Sequence, residues 1–132
     1  MKKIIKFLDN FSYRNPGVSK AVLELSKLVE DKFVLTVYTN NFSEEFKNEF
    51  NGEVICFKFL NFWKYASQGC ILCDLIHLHG VWMYPQYIGA KSAIKYKKPF
   101  ILSPHGMLEP WLMELKNIGF LKYVKKKFTL IL

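Results

Sequence analysis

Apolar and polar positions along the chain switch repeatedly between the period of a strand and that of a helix. Residues 3–8, KIIKFL, form a short apolar run that ends at Asn10, and the turn-rich segment Ser12 to Gly17 leads into a helical pattern from Val18 to Val29. Within that pattern Val18, Ala21, Val22, Leu25, Leu28 and Val29 recur at spacings of three and four, which predicts one buried stripe, with Ser19 as N-cap. A strand follows from Phe33 to Thr39, rich in β-branched and aromatic residues, and Ser43 is placed to cap a short acidic helix running to Phe50. Val54 to Leu60 reads as a third strand. Phe62, Trp63 and Tyr65 suggest a short packed helix within 61–73, ending near Gly69. Asp74 to His79, DLIHLH, is the fourth strand; a loop from Gly80 to Pro85 leads to a helix from about Gln86 to Tyr96. Pro99 opens a fifth strand, Phe100 to Ser103, and the loop Pro104 to Pro110 precedes a further helix continuing after Gly119 into FLKYVKKKFTLIL. Strands alternating with helices predict an α/β fold, a doubly wound parallel sheet with right-handed crossovers.

The 132 residues fit one domain, 1–132, and a two-domain enzyme needs considerably more. With 51% hydrophobic and 17% aromatic residues the chain can fill a core, which excludes a disordered protein. Lys6 and Asp9 interrupt the apolar start before a signal-peptide core can form, and no apolar run approaches the ~18 residues of a membrane-spanning helix. A cytoplasmic location is expected. Three cysteines, Cys56, Cys70 and Cys73, without a secretory leader, imply reduced thiols. The closing residues FTLIL carry no stop signal, so the domain reads as truncated at its C-terminal end.

Formal charge is +8, and its placement is uneven: residues 1–90 hold ten Lys/Arg against nine Asp/Glu, residues 91–132 nine Lys against two Glu. Arg14 is the sole arginine, and bidentate phosphate recognition favours arginine, so no nucleic-acid partner is expected. A plain solvated lysine face is the simplest reading of the patch; the alternative is an anionic membrane, with Lys122, Lys125, Lys126 and Lys127 facing lipid at the inner face of the cell membrane and Phe120, Val124 and Phe128 against the core or bilayer.

Open parallel sheets bind ligands outside the carboxyl ends of their strands, so the informative loops are 10–17, 80–85 and 104–110. They carry the unusual residues Gly17, His79, Gly80, Trp82, Tyr84, His105, Gly106 and Trp111.

Three stretches, NPGVSKAVLELSKLV, DLIHLHGVWMYPQYIGAKSAIKYKKPFILSPHGMLEPW and the basic segment after them, resemble the N-terminal segments of family 4 glycosyltransferases, in particular those that build bacterial surface polysaccharides. The resemblance implies the N-terminal half of a GT-B fold: a Rossmann-like, acceptor-side domain without the domain that grips the nucleotide sugar. It implies retaining transfer from a nucleotide-diphosphate sugar to a saccharide or lipid-linked acceptor, with no bound metal or cofactor and charge stabilisation on the departing nucleoside diphosphate. The isolated chain would be inactive. Gly17 falls at the family's glycine-rich turn, where backbone approaches the donor phosphates; Pro16 replaces the first of the usual two glycines. His105 in SPHGML matches the cleft histidine or arginine and is the candidate catalytic residue, with Gly106 leaving room for the ligand. His79, Gly80 and Trp82 are candidate substrate-binding residues, Trp82 and Tyr84 by stacking on a sugar ring or lipid.

His77 lies on the same side of its strand as His79 and reads as a core histidine. An alternative is a small metal-binding or metal-dependent hydrolase domain using His77 and His79, with Cys70-x-x-Cys73 nearby as further nominal ligands. Hydrolase sites of that kind draw further His and Asp ligands from several other strands, and the chain has only one more histidine, His105.

Overall fold

The computed structural model describes residues 1–81 and 83–106. Trp82, Trp111 and the basic stretch with Phe120, Lys122, Val124, Lys125, Lys126, Lys127 and Phe128 lie outside the described residues. In order the elements are β1 (Lys2–Phe7), β2 (Asn10–Phe11), α1 (Pro16–Lys27), β3 (Phe33–Thr39), β4 (Asn41–Phe42), α2 (Glu44–Glu49), β5 (Glu53–Cys56), α3 (Phe59–Leu72), β6 (Leu75–His79), α4 (Tyr84–Lys95) and β7 (Phe100–Ser103). Five strands form one parallel sheet in the order β5-β3-β1-β6-β7, the Rossmann-like arrangement expected from the alternation. The two-residue strands β2 and β4 pair separately and tie the loops after β1 and β3 together.

Alternation along the strands divides the core. Ile5, Phe7, Tyr38, Ile76 and Leu78 face α3 and α4, packing on Phe62, Ala66, Cys70, Ile88, Ala90 and Ala93. Ile4, Leu8, Leu35 and Val37 face the other way, against Val18, Val22 and Leu23 of α1 and Phe46 and Phe50 beside α2. Helices thus cover both faces. Among the described residues no helix is long and apolar enough to cross a membrane.

Four expectations need correction. α1 begins at Pro16, where a fixed φ and a missing N–H suit the first helical position, so Ser19 is not its N-cap. Ser19 is buried inside the helix: its hydroxyl accepts from Ser12 N at 3.0 Å and lies 3.0 and 3.1 Å from the carbonyls of Asn10 and Ser12, holding down the loop after β1. The buried stripe is also rotated. Val18, Ser19, Val22, Leu23 and Ser26 face inward, while Leu25 and Leu28 are 41% and 77% exposed. Two serines can occupy buried positions because their hydroxyls find backbone partners, Ser26 bonding Val22 O at 2.6 Å. Gly69 does not end a helix; it lies within α3, where a Cβ would overlap the Tyr38 hydroxyl, so the missing side chain lets helix and sheet approach. The third strand is shorter than Val54 to Leu60, because β5 stops at Cys56 and residues from Phe59 are helical. Ser43 does cap α2, accepting from Phe46 N at 3.4 Å.

Candidate functional site

Chain order and strand order diverge between β1 and β6: β3 and β5 build outward from β1 on one side, β6 and β7 on the other. At such a reversal neighbouring loops leave in opposite directions and open a crevice at the carboxyl edge. The loop after β1 forms one side of this edge, and the turn after β6 forms the other.

On the first side, Gly17 is the second residue of α1, exposed, with nothing within 4 Å of where a Cβ would stand. Asn15 contributes no side-chain cap, and Pro16 has no N–H to leave unpaired, so only the N–H groups that follow remain at the helix start.

On the second side, three histidines form a column. The rings of His77 and His79, two residues apart on one face of β6, lie 3.9 Å apart between centroids. His79 Nδ1 is 3.1 Å from His105 Nε2, and these two rings stack at 5.4 Å with an angle of 22°. His77 Nε2 bonds the Ser103 hydroxyl at 2.8 Å. Two backbone features create the arrangement. Gly80 and Gly106 have φ of +89° and +78°, the left-handed region that favours glycine. His105 also holds a left-handed φ of +50°, which costs a side-chain-bearing residue about 1–2 kcal/mol. Gly80 N donates to Ser103 O at 2.7 Å, fastening the end of β6 to β7.

Burial sets the charge state of the column. Desolvation, then the charge of Lys6, pushes the pKa of His77 down to about 4. His79 is fully buried, and desolvation lowers it further still, with His77 and Lys6 adding repulsion. His105 lies at the surface but is lowered too, by the burial of its protein-facing side. All three are neutral near pH 7. Lys6, paired in register with His77 and only 2% exposed, is lowered by desolvation to about 8. It lines a groove of about 270 Å³ with Ile4, Leu25, Leu75, His77 and Ile101.

Sequence reasoning missed Gln86. Its side chain, 1% exposed, donates from Nε2 to His79 O at 2.6 Å, while its Oε1 has no partner among the described residues. The signal was present: Gln86, Ala90 and Ala93 share one helical face by spacing, and a polar residue on a buried stripe marks a specific partner.

His79, Gly80, His105 and Gly106 are therefore brought together. Gly17 shares their edge of the sheet, but no hydrogen bond or ring contact joins it to them among the described residues. Tyr84, the first residue of α4, turns its ring edge-on to Phe62 at 6.0 Å. The thiols and imidazoles nominated together for a metal are separated by the sheet: Cys70 and Cys73 pack with Ile76 and Leu78, on the opposite face of β6 from His77 and His79. The described residues contain no group of three or more His, Cys, Asp or Glu placed to hold a metal ion.

No protein-family model matches the sequence, and no curated protein matches it. Among solved structures, the fold is shared with a Listeria monocytogenes protein whose description assigns it as a UDP-N-acetylglucosamine 2-epimerase, at a TM-score of 0.62 and 12% identity. The similarity covers 99% of this chain and 37% of that one, so the chain spans little more than a third of its neighbour's length.

Proposed function

We propose that this chain is the acceptor-side, N-terminal half of a GT-B-type nucleotide-sugar enzyme, and that its reaction is glycosyl transfer to a saccharide or lipid-linked acceptor. The observation that carries the reading is the hydrogen-bonded pair His79–His105 at the carboxyl edge, where β6 and β7 end beside the strand-order reversal. A neutral imidazole on an exposed turn flanked by Gly106 can donate to a sugar hydroxyl or to an oxygen gaining negative charge. The first turn of α1, which contains Gly17, adds backbone N–H groups and a positive helix end suited to a diphosphate. The fold neighbour supports nucleotide-sugar chemistry in general, and the sequence resemblance favours transfer. Donor-gripping residues would belong to a second domain, so no cofactor is invoked and the donor is a co-substrate.

Saturation-transfer NMR of the purified chain with candidate saccharide acceptors and with UDP-sugars tests this. Saccharide contacts that disappear in His105→Ala support the reading; no contact with either ligand class overturns it. Turnover of a nucleotide sugar by residues 1–132 alone would overturn the half-site assignment. A second reading, isomerisation of a nucleotide sugar, is favoured by the fold neighbour and would be shown by a change of sugar configuration without any acceptor. Contact with anionic membrane through Lys122, Lys125, Lys126 and Lys127 is a separable proposal: sedimentation with liposomes containing anionic lipid should carry the chain down at low salt, and absence of binding at every salt concentration eliminates it.

A further inference from the structure

The two rings of the His79–His105 pair are neutral, so one proton lies between Nδ1 of His79 and Nε2 of His105, and its owner decides what His105 offers to a ligand. The surroundings of His79 discriminate. Its other nitrogen, Nε2, is buried and has no partner among the described residues. If the ring proton sat there, the interior would hold an orphaned N–H donor. Orphaned buried donors are rarer in folded proteins than under-used acceptors, so the proton belongs on Nδ1 and Nε2 keeps a bare lone pair.

We infer that His79 is a positioning residue: its Nδ1–H donates to His105 Nε2 and holds His105 in the tautomer that carries a proton on Nδ1. His79 is fixed for this task from three directions, by the tilted His77 ring at 3.9 Å, by Gln86 Nε2 on its carbonyl at 2.6 Å, and by the Gly80–Ser103 backbone bond at 2.7 Å. The consequence concerns the exposed side of His105. With Nε2 occupied as an acceptor, its free nitrogen is an N–H donor and not a base. The ligand group it meets is therefore an oxygen acceptor, a hydroxyl lone pair or a phosphate oxygen, and deprotonation of an acceptor hydroxyl falls to another group. Protonation of His105 is coupled to the same bond: an Nε2–H would point at the Nδ1–H of His79, so His79 would have to move its own proton to the orphaned position first. The bearing on catalysis rests on the glycosyl-transfer reading above; the tautomer itself does not.

The chain has three histidines, so long-range proton–nitrogen NMR of the uniformly ¹⁵N-labelled protein at pH 7.5 shows three ring systems, assigned with His77→Gln and His105→Ala. The expected pattern is a protonated Nδ1 and an unprotonated Nε2 on His105. The reverse pattern overturns the inference without any ligand being present. His79→Asn keeps an N–H donor close to the Nδ1 position and should preserve the His105 tautomer. His79→Leu should release it to a mixture and move its titration up toward the ordinary value near 6.5. An unchanged tautomer and titration in a folded His79→Leu protein would also overturn it. If saccharide or UDP-sugar binding is detected, His79→Leu should weaken it about tenfold, the value of one hydrogen bond, and His79→Asn much less. A confirmed tautomer with no binding of either ligand leaves the positioning role standing and removes the sugar-transfer reading instead.

Discussion

Lys6→Met should stabilise this protein at neutral pH, by an amount the burial of the amine sets. The side chain is 2% exposed, next to His77, and among the described residues it forms no ion pair with a carboxylate. Desolvation brings its pKa from 10.5 to about 8, so the fold disfavours the cation that the unfolded chain carries freely. At about 1.4 kcal/mol per pH unit the separation is worth about 3 kcal/mol. The sign follows from proton counting. Between pH 8 and 10.5 the unfolded chain binds more protons than the fold, so stability rises with pH across that window; below 8 the penalty is constant. Methionine has a similar length and no charge. Lys6→Met should therefore gain roughly 1–3 kcal/mol at pH 7, where total stabilities are typically 5–15 kcal/mol, and the gain should vanish by pH 10.5. Urea unfolding followed by tryptophan fluorescence at the two pH values measures it. No gain at pH 7 refutes the burial argument, and an equal gain at pH 10.5 means that packing, not charge, is responsible.

The histidine column predicts the opposite end of the pH scale. His77 titrates at about 4 in place of 6.5, so about 3 kcal/mol of stability is present above pH 6.5 and is lost as pH falls toward 4; His77→Gln should flatten a plot of urea midpoint against pH in that interval. Gly89→Ala would bring a Cβ within 2.5 Å of Leu78 Cδ2 and 2.9 Å of Phe7, so overpacking of about 1–3 kcal/mol should outweigh the gain in helix propensity of about 1 kcal/mol, read as a lower thermal midpoint that Gly89→Ala combined with Leu78→Ala does not lower additively. Ser19→Ala leaves the buried Ser12 N–H without its acceptor and should cost about 1–3 kcal/mol, with faster hydrogen exchange confined to residues 10–15. Unchanged exchange there would mean that the loop after β1 is held by other contacts.

The sheet was legible because its strands carry the signal in short apolar runs: β7 matches the expected Phe100 to Ser103, and the core of β3 matches Phe33 to Thr39. Helix faces were less so. Reading α1 by hydrophobicity put Leu25 and Leu28 inside, while the fold buries Ser19 and Ser26, whose hydroxyls satisfy backbone groups that a count of apolar residues does not see. Gly69 signals a helix end in a sequence, and only the position of Tyr38 on β3 shows that it marks a close approach instead. At the site, the parity of HLH fixed the shared face of His77 and His79, and strand order brought His105 beside them. The direction of the proton between two rings is not a property of either residue's neighbours in sequence, and neither is the role of Gln86.

Several departures from local consistency in this molecule touch one another. Among the described residues, Lys6 is a buried cation on the central strand without a carboxylate partner, His79 Nε2 and Gln86 Oε1 are buried without partners, and His105 holds a left-handed backbone. Each has its own cost; further departures, the buried Asn40 Oδ1 and Ser92 Oγ and the left-handed Lys97, are isolated from this group. Natural sequences break local rules chiefly where function requires it. Lys6 and His79 are joined through His77, which pairs with Lys6 in register and packs its ring against that of His79, and Gln86 holds the His79 carbonyl. The costs are therefore mechanically connected and end at one exposed group, the His105 ring. If Lys6→Met stabilises the fold while altering the His105 titration, the strain in the strand and the chemistry at its edge are one feature; if it stabilises the fold and leaves His105 untouched, Lys6 serves the open groove alone.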